Sequence, residues 1–284
     1  MTKEDLKYKV MDVISVVVSD YLNSNVYLYS TQAAFFLIIS VIPFAMFLLS
    51  LLKFIYPISD GELLAMINHT IPNSMEYYAS YLVRQLYTQS SLSLTSVSAI
   101  TTLWAASKST HSLSQGLNQI YKTGKERTMI QQRIASLVNT IILMVTMLFC
   151  LIILVFGNQF DSVIEAMYPN SLGVLSLINF RNIISFIVLI GILDLLYTVL
   201  PIKTLRFRDQ FKGALACTII WIGFSWIYSV YVNNIGKFSI TYGILASLVF
   251  AMLWLQICMN IFLMCAQLNV YLYEMQHGFE DHIH

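Results

Sequence analysis

The chain has 284 residues, of which 57% are hydrophobic and only 11% are charged. A soluble globular protein carries about a quarter charged residues, so this composition excludes an ordinary water-soluble enzyme. A mean hydropathy of +0.70 instead predicts a membrane protein with several spans. Sixteen basic and fifteen acidic residues give a net charge of +1, which lacks the basic excess typical of nucleic-acid-binding proteins.

Residues 8–28 have the pattern of an amphipathic helix. Ile14, Val17 and Tyr21 recur at helical spacing on one side, with Asp12 and Ser19 among the polar residues on the other. Such a helix lies along the inner leaflet of the membrane or packs beneath the bundle, and both placements stay open. No signal-peptide pattern precedes it, so we expect the first span to drive membrane insertion.

Six segments are candidates for crossing the membrane, which requires roughly 20 mostly apolar residues in each. The second is the weakest because Ser and Thr fill about half of it. We predict an all-α membrane protein, a six-transmembrane-helix bundle with an N-terminal amphipathic interfacial helix, in one integral-membrane domain over residues 1–284. The spans are 32–56, 91–107, 134–157, 182–201, 211–232 and 240–268.

The basic residues predict the orientation of these spans. Twelve of the sixteen lie before the first span, after the second or after the fourth. Residues 158–171, between the third and fourth spans, contain none. By the positive-inside rule both termini are therefore cytoplasmic. Removing the second span would put basic loops on both sides, so the charge pattern favours keeping it.

Asp194 is a carboxylate in the middle of a predicted span. An ionised carboxylate at that depth costs about 2.5–3.5 kcal/mol on insertion scales, so we expect it to face the bundle interior or water. It is either an acid that responds to protons or substrate, or a structural ion-pair partner. Lys108 and Arg133 are the candidate partners for the second role.

Two predicted spans also carry uncharged polar stripes, each within about 60° on its helix. We expect both stripes to face inward, because a lipid-facing amide would lack a hydrogen-bond partner. They line a polar cavity for a substrate headgroup or form hydrogen bonds between helices, and both roles stay open. Their members are Ser91, Thr95, Ser98, Thr102 and Ser109 in the second span, and Gln256, Asn260 and Gln267 in the sixth; the candidates for lining a cavity are Thr95, Ser98, Thr102, Asp194, Gln256, Asn260 and Gln267.

Several motifs with known chemistry are missing from the sequence. No glycine-rich phosphate loop is present, so we expect no ATP or GTP hydrolysis. No nucleophile turn and no intramembrane zinc motif occurs. Cys150, Cys217, Cys258 and Cys265 lie in apolar runs without metal-ligand spacing. We therefore predict a protein that is not an enzyme and has no cofactor, metal site or nucleic-acid partner.

Three segments carry a family resemblance. They are AAFFLIISVIPF at 33–44, LWAASKSTHSLSQGLNQIY at 103–121, and residues 200–272, with KFSITYGILAS as the most specific block. The chain resembles the YihY/virulence factor BrkB family of bacterial inner-membrane proteins over nearly its whole length. The resemblance implies a bacterial plasma membrane, six spans and cytoplasmic termini. Asp194 departs from the strongly apolar fourth span that the family usually shows.

The family's old label, ribonuclease BN, is not carried over to this chain. A metal-dependent ribonuclease needs clustered His and Asp ligands in a soluble domain, and the sequence has neither. For relatives, the resemblance implies roles in envelope integrity or in the movement of lipids and other amphiphiles.

Our leading hypothesis is a transporter or flippase-like protein that handles a lipid or other amphiphile without ATP hydrolysis. Membrane lipids are its expected partners, and the sequence carries no signal for an oligomeric state. The alternative is a non-transporting scaffold or envelope-integrity protein that binds a partner through the outer loop Pro57–Ser90 or the N-terminal helix. Four basic residues would attract an anionic headgroup at the inner surface: Lys108, Arg133, Arg206 and Arg208.

Overall fold

The computed structural model describes residues 15–22, 24–55, 92–122, 128, 130–145, 180–202, 205–235 and 239–277. These residues form seven helices and no strand, which confirms the all-α prediction for the described part. The outer loop Pro57–Ser90 and residues 8–14 and 146–157 of the predicted helices lie outside it. The helices are α1 (15–22), α2 (Tyr27–Ile55), α3 (Leu92–Ile120), α4 (Ile130–Val145), α5 (Phe180–Val199), α6 (Phe207–Ile235) and α7 (Ser239–His277).

The single amphipathic helix predicted over residues 8–28 is wrong at its C-terminal end. α1 ends at residue 22, a turn occupies 24–26, and α2 begins at Tyr27. Asn25 has a φ of 54°, a left-handed conformation that Asn tolerates better than most residues. The Leu28 amide donates to the Asn25 carbonyl at 3.1 Å and so starts α2. The chain therefore changes direction between two separate helices.

Local backbone chemistry ends α3 and α5 and begins α6. Lys122 follows α3 with a φ of 48°, the left-handed conformation that often terminates helices. α5 stops before Pro201, which lacks the amide proton needed to continue the helix. Asp209 lies in the first turn of α6, where a negative charge stabilises the helix dipole.

Three described segments are long and apolar enough to cross a membrane: Tyr27–Phe47, Phe207–Val232 and Leu248–Met275. They overlap the first, fifth and sixth predicted spans. Shorter apolar helices at Ile130–Val145 and Ser185–Val199 overlap the third and fourth. The second predicted span lies on α3, which is not among these apolar segments. The described residues therefore support a membrane protein but do not confirm six spans.

The chain divides into two compact units. The first contains Met1–Ala34 and Ser109–His284, and the second contains Phe35–Lys108. In the first unit, α6 packs against both α5 and α7. Tyr197 of α5 stacks on Phe262 of α7, with ring centroids 4.5 Å apart, and its hydroxyl donates to the Phe262 carbonyl at 2.7 Å. In the second unit, the rings of Phe36 and Trp104 meet edge to face.

A close contact between Gly213 and Asn269 joins α6 to α7. The Gly213 amide donates to Asn269 Oδ1 at 2.7 Å, and Asn269 Nδ2 donates to the Gln210 carbonyl at 3.1 Å. A Cβ atom on residue 213 would overlap the Asn269 side chain. Asn269 is fully buried, so its amide cannot move into solvent to make room. Glycine at this position therefore permits the helix contact.

We expect Gly213→Ala to destabilise the protein by about 1–3 kcal/mol, the usual cost of overpacking. Gly223→Ala on the same helix is the matched control, because no atom lies within 4 Å of the added Cβ. The control should be neutral or slightly stabilising, since Ala has the higher helix propensity. Thermal unfolding of the purified variants in one detergent measures both effects. Equal midpoints for the two variants would contradict the prediction.

Candidate functional site

Four buried polar side chains come together in the first unit, and we name them the Asp194 cluster: Tyr121, Asp194, Gln210 and Asn269. Tyr121 follows α3, Asp194 lies on α5, Gln210 begins α6 and Asn269 lies on α7. Each is at most 1% exposed. The ends or adjoining turns of four helices therefore place polar side chains in the interior of one unit.

Asp194 has an unusual environment for an acid. Neither carboxylate oxygen has a hydrogen-bond partner among the described residues. Thr198 bonds to the backbone carbonyl of Asp194 at 2.9 Å and leaves the carboxylate untouched. The predicted ion pair with a basic residue is therefore not present in the part of the chain that the structure describes. An uncompensated buried carboxylate is costly, so this arrangement needs a functional explanation.

Tyr121 is the ionisable neighbour of Asp194. Burial raises the pKa of the Tyr121 hydroxyl above its usual range, the adjacent Asn269 side chain lowers it, and the negative charge of Asp194 raises it. The phenol therefore remains protonated and keeps its O–H donor. Its hydroxyl has no hydrogen-bond partner within the described residues.

Gln210 contributes the remaining unsatisfied oxygen of the cluster. Its Nε2 donates to the Leu205 carbonyl at 2.9 Å, while its Oε1 has no partner among the described residues. Asn269 bonds to both the Gln210 carbonyl and the Gly213 amide, which fixes its orientation beside Gln210. Three members of the cluster were not predicted from the sequence: Tyr121, Gln210 and Asn269. Their only signal was a polar residue near the end of an apolar helix.

The stripe predicted on the sixth span makes hydrogen bonds between helices. Asn260 Oδ1 accepts from the Tyr21 hydroxyl at 2.6 Å and from Ser30 Oγ at 2.5 Å. Gln256 Nε2 donates to Thr31 Oγ1 at 3.1 Å. Burial raises the pKa of Tyr21 to about 12, and the bond to Ser30 opposes that shift, so the phenol stays a donor. Gln267 is half-buried on the same helix.

The stripe predicted on the second span lies on α3 within the second unit. Ser98 and Thr102 are buried there. Thr102 Oγ1 donates to the Ser98 carbonyl at 2.7 Å, and Ser98 Oγ donates to Met46 Sδ at 4.0 Å. The backbone of Thr95 belongs to α3, but its side chain lies outside the described residues. The cavity-lining role of both stripes stays a prediction.

The four basic candidates have different surroundings. Lys108 is half-buried, with its Nζ 5.7 Å from the ring centre of Phe36 and 5.6 Å from that of Trp104. Such cation–π contacts hold the ammonium at an aromatic surface. Arg133, Arg206 and Arg208 are exposed in the first unit. Their role in headgroup binding also stays a prediction.

A small polar cavity lies between α3, α4 and the segment that follows α5. Its volume is about 20 Å³, enough for roughly one water molecule. A second, apolar cavity between α4 and α5 has a volume of about 10 Å³. Neither is large enough for a lipid headgroup. The polar side chains that line the first cavity are His111, Ser114, Gln115, Asn118, Gln132 and Ser136.

No group of three or more His, Cys, Asp or Glu side chains that could hold a metal ion occurs among the described residues. Cys217 and Cys265 are buried close to Tyr197, and Cys258 is also buried. All three are free thiols. The described site is therefore one of oxygen and amide groups around a single acid.

We expect Asn260→Leu to lower the free energy of unfolding by about 1–3 kcal/mol, because the buried Tyr21 and Ser30 hydroxyls lose their shared acceptor. Gln267→Leu is the matched control on the same helix, where the structure gives the side chain no hydrogen bond. Its effect should be smaller. Unfolding followed by circular dichroism in mixed micelles measures both variants. A control that is as destabilised as Asn260→Leu would contradict the assignment.

Comparison with known proteins places the chain in a family. A model of the family described as virulence factor BrkB matches residues 17–282. A Bacillus subtilis (strain 168) protein named as ribonuclease-like, YfkH, is 28% identical over 248 residues, which cover 86% of this chain and 89% of that protein. No solved structure matches the chain. Because the family model covers nearly the whole sequence, the chain belongs to the virulence factor BrkB family.

Proposed function

We propose that this protein is a six-span protein of the bacterial plasma membrane, with both termini in the cytoplasm, that moves a lipid or other amphiphile without ATP hydrolysis. The apolar helices α2, α6 and α7 and the membership of the BrkB family support the membrane location. The distribution of Lys and Arg along the chain supports the orientation.

The burial of Asp194 without a partner carries the transport proposal. A static scaffold gains nothing from an acid that is 1% exposed and has no hydrogen bond to its carboxylate among the described residues. Intramembrane acids of this kind mark ion or substrate pathways in membrane proteins. A group that changes its charge inside the bundle gives the protein a means to alternate between two states without a nucleotide.

The exposed arginines of the first unit support an anionic headgroup as the recognised part of the substrate. Arg206 and Arg208 flank the start of α6, and Arg133 lies near the start of α4. Each basic residue near a membrane surface contributes about 1 kcal/mol to the attraction of anionic lipid. A headgroup collected there would lie at the predicted inner face of the membrane.

The name of the Bacillus subtilis relative describes that protein as ribonuclease-like. Our proposal assigns no hydrolytic step to this chain. The polar groups of the Asp194 cluster are two amides, a phenol and one acid without a hydrogen-bond partner among the described residues, a set suited to charge change and hydrogen bonding.

A second candidate function is a non-transporting scaffold for an envelope partner. The hydrogen bonds of Asn260 and Gln256 favour it, because they use the polar stripe of α7 to hold α1 and α2. In a scaffold these bonds would account for the polarity of the bundle, and no substrate would be needed. The two functions predict different behaviour of the same variants.

We expect the purified protein in liposomes to accelerate leaflet exchange of a fluorescent anionic phospholipid by about tenfold or more, a barrier reduction of about 1.4 kcal/mol. A pH gradient should increase the rate further. Asp194→Asn should lose the response to the gradient, whereas Asp209→Asn, on the first turn of α6, should keep it. Dithionite quenching of the outer-leaflet probe measures the rate. No acceleration with or without a gradient would overturn the transport proposal.

The double variant Gln256→Leu, Asn260→Leu separates transport from the scaffold alternative. Under both functions it should unfold at a lower temperature, because hydrogen bonds between helices are lost. Transport through a polar path along α7 predicts, in addition, a lower exchange rate per folded molecule. Rates are therefore compared at a temperature where size-exclusion chromatography shows equal folded fractions. An unchanged rate per folded molecule would remove the α7 stripe from the transport path.

A further inference from the structure

The unpartnered atoms of the Asp194 cluster are mostly acceptors. They are the two carboxylate oxygens of Asp194, Gln210 Oε1 and the Tyr121 hydroxyl. Of these, only the Tyr121 O–H can donate a hydrogen bond. The Gln210 amide nitrogen already donates to the Leu205 carbonyl, and the Asn269 oxygen already accepts from Gly213. The cluster therefore has more acceptors than available donors and would repel an anion.

A chain of contacts joins these atoms into one site. The charge of Asp194 acts on Tyr121, and the side chain of Asn269 lies next to the same phenol. Asn269 in turn bonds to the Gln210 carbonyl at 3.1 Å. The site therefore extends from α5 through the residue that follows α3 to α7 and α6. The carboxylate among the unpartnered oxygens favours a cation over an anion as the species bound there.

The size of the site limits which cation it takes. Neither cavity described above is lined by Asp194, Tyr121 or Gln210. A metal cation needs several oxygen ligands that converge around a space of its own size. A proton needs no such space, because it binds to an oxygen that is already present.

We propose that Asp194 is a proton-binding site in which the buried carboxyl group, with the Tyr121 hydroxyl as its hydrogen-bond donor, takes up and releases one proton. Protonation converts one carboxylate oxygen from acceptor to donor. The Tyr121 O–H remains available as a donor to the carboxyl group in either state. Protonation also removes the negative charge, which is the costly form of a buried carboxyl group.

The polar cavity lies close to the C-terminal end of α5, the helix that carries Asp194. Ser114, which lines the cavity, donates to the Leu200 carbonyl at 2.7 Å. Leu200 lies six residues after Asp194, a distance of about 9 Å along a helix. His111, the titratable side chain in the lining, approaches Ser136 Oγ with its Nδ1 at 3.2 Å. Water that reaches the cavity from the exposed end of α4 would thus come within about two turns of the acid.

The other titratable groups described around the acid are phenols and thiols. Tyr121 faces it from the end of α3, and Tyr197 lies one turn along α5 with its hydroxyl bonded to the Phe262 carbonyl. Cys217 of α6 and Cys265 of α7 adjoin Tyr197. Phenols and thiols ordinarily titrate above pH 8, so the Asp194 carboxyl is by type the strongest acid of this described group. The idea that this site couples proton binding to transport rests on the proposed function. Proton binding by Asp194 does not depend on that function.

Infrared difference spectroscopy of the full-length protein in lipid bilayers tests the site directly. Stepping the pH should reveal a carboxylic-acid C=O band that disappears on deprotonation. Asp194→Asn should abolish this band, and Asp194→Glu should retain it at a shifted frequency. Asp209→Asn is the matched control and should keep the band unchanged. If the band persists in Asp194→Asn, or is missing from the unmodified protein at every pH at which it stays folded, the proposal is overturned.

Two further measurements test the partners and the ion. Tyr121→Phe should raise the C=O frequency, because the carboxyl oxygen loses a donor, and an unchanged frequency would remove Tyr121 from the site. Replacing Na⁺ with K⁺ or choline at constant pH should leave the band unaltered. A band that follows Na⁺ concentration would mean that a metal cation, not a proton, is the ligand. A titrating C=O band without lipid exchange would refute transport and support the proton site. Lipid exchange without the band would support transport and refute the proton site.

Discussion

Every polar group inside a membrane protein must find its partner within the protein, because the hydrocarbon around it offers none. This constraint explains most of the described polar contacts. Hydroxyls at helical positions bond to the carbonyl one turn earlier, as Thr102 and Thr218 do. Amides bond to neighbouring helices, as Asn260 and Asn269 do. Within the described part of the chain, the Asp194 carboxylate is the charged-type group that departs from this pattern, together with the Tyr121 hydroxyl and Gln210 Oε1.

Two asparagines of α7 each hold a different neighbouring segment by hydrogen bonds. Asn260 gathers Tyr21 and Ser30, which lie 239 and 230 residues earlier in the chain. Asn269 holds α6 through Gly213, where any larger residue would overlap it. α7 is therefore the helix against which both the N-terminal segment and α6 are positioned. Removing either amide leaves buried donors unsatisfied, which costs more than the bond itself contributes.

The sequence was sufficient to predict what depends on local composition. Hydropathy identifies α2, α6 and α7 as apolar helices, and the position of Asp194 within an apolar run marks it as unusual. The break between α1 and α2 was missed because Leu28 keeps helical spacing from Tyr21 across the intervening polar residues. The run Asn23-Ser24-Asn25 was the available turn signal, since Asn tolerates the positive φ that Asn25 adopts.

Long-range pairing could not be predicted, because one sequence does not indicate which helix faces which. The angular position of Asn260 predicts an inward orientation, but it cannot identify Tyr21 as the donor. The other members of the Asp194 cluster were missed for the same reason. Tyr121, Gln210 and Asn269 lie on three other segments, and they meet the acid only after the first unit has folded. The sequence therefore predicted an ion pair of Asp194 with Lys108 or Arg133 instead.

A change of charge in the Asp194 cluster would affect the hydrogen bonds of several helices, because the cluster lies close to where they adjoin. The C-terminal end of α5 is already tied to α3 through the Leu200 carbonyl and the Ile202 amide, which bond to Ser114 and Asn118. The same region meets the first turn of α6 at Gln210, whose carbonyl is held by Asn269. Adding or removing one proton would therefore alter hydrogen bonding where several helix ends join, rather than along one helix face. A small energetic change at such a junction can shift the balance between two packed arrangements, because packed interiors switch between discrete states instead of deforming continuously.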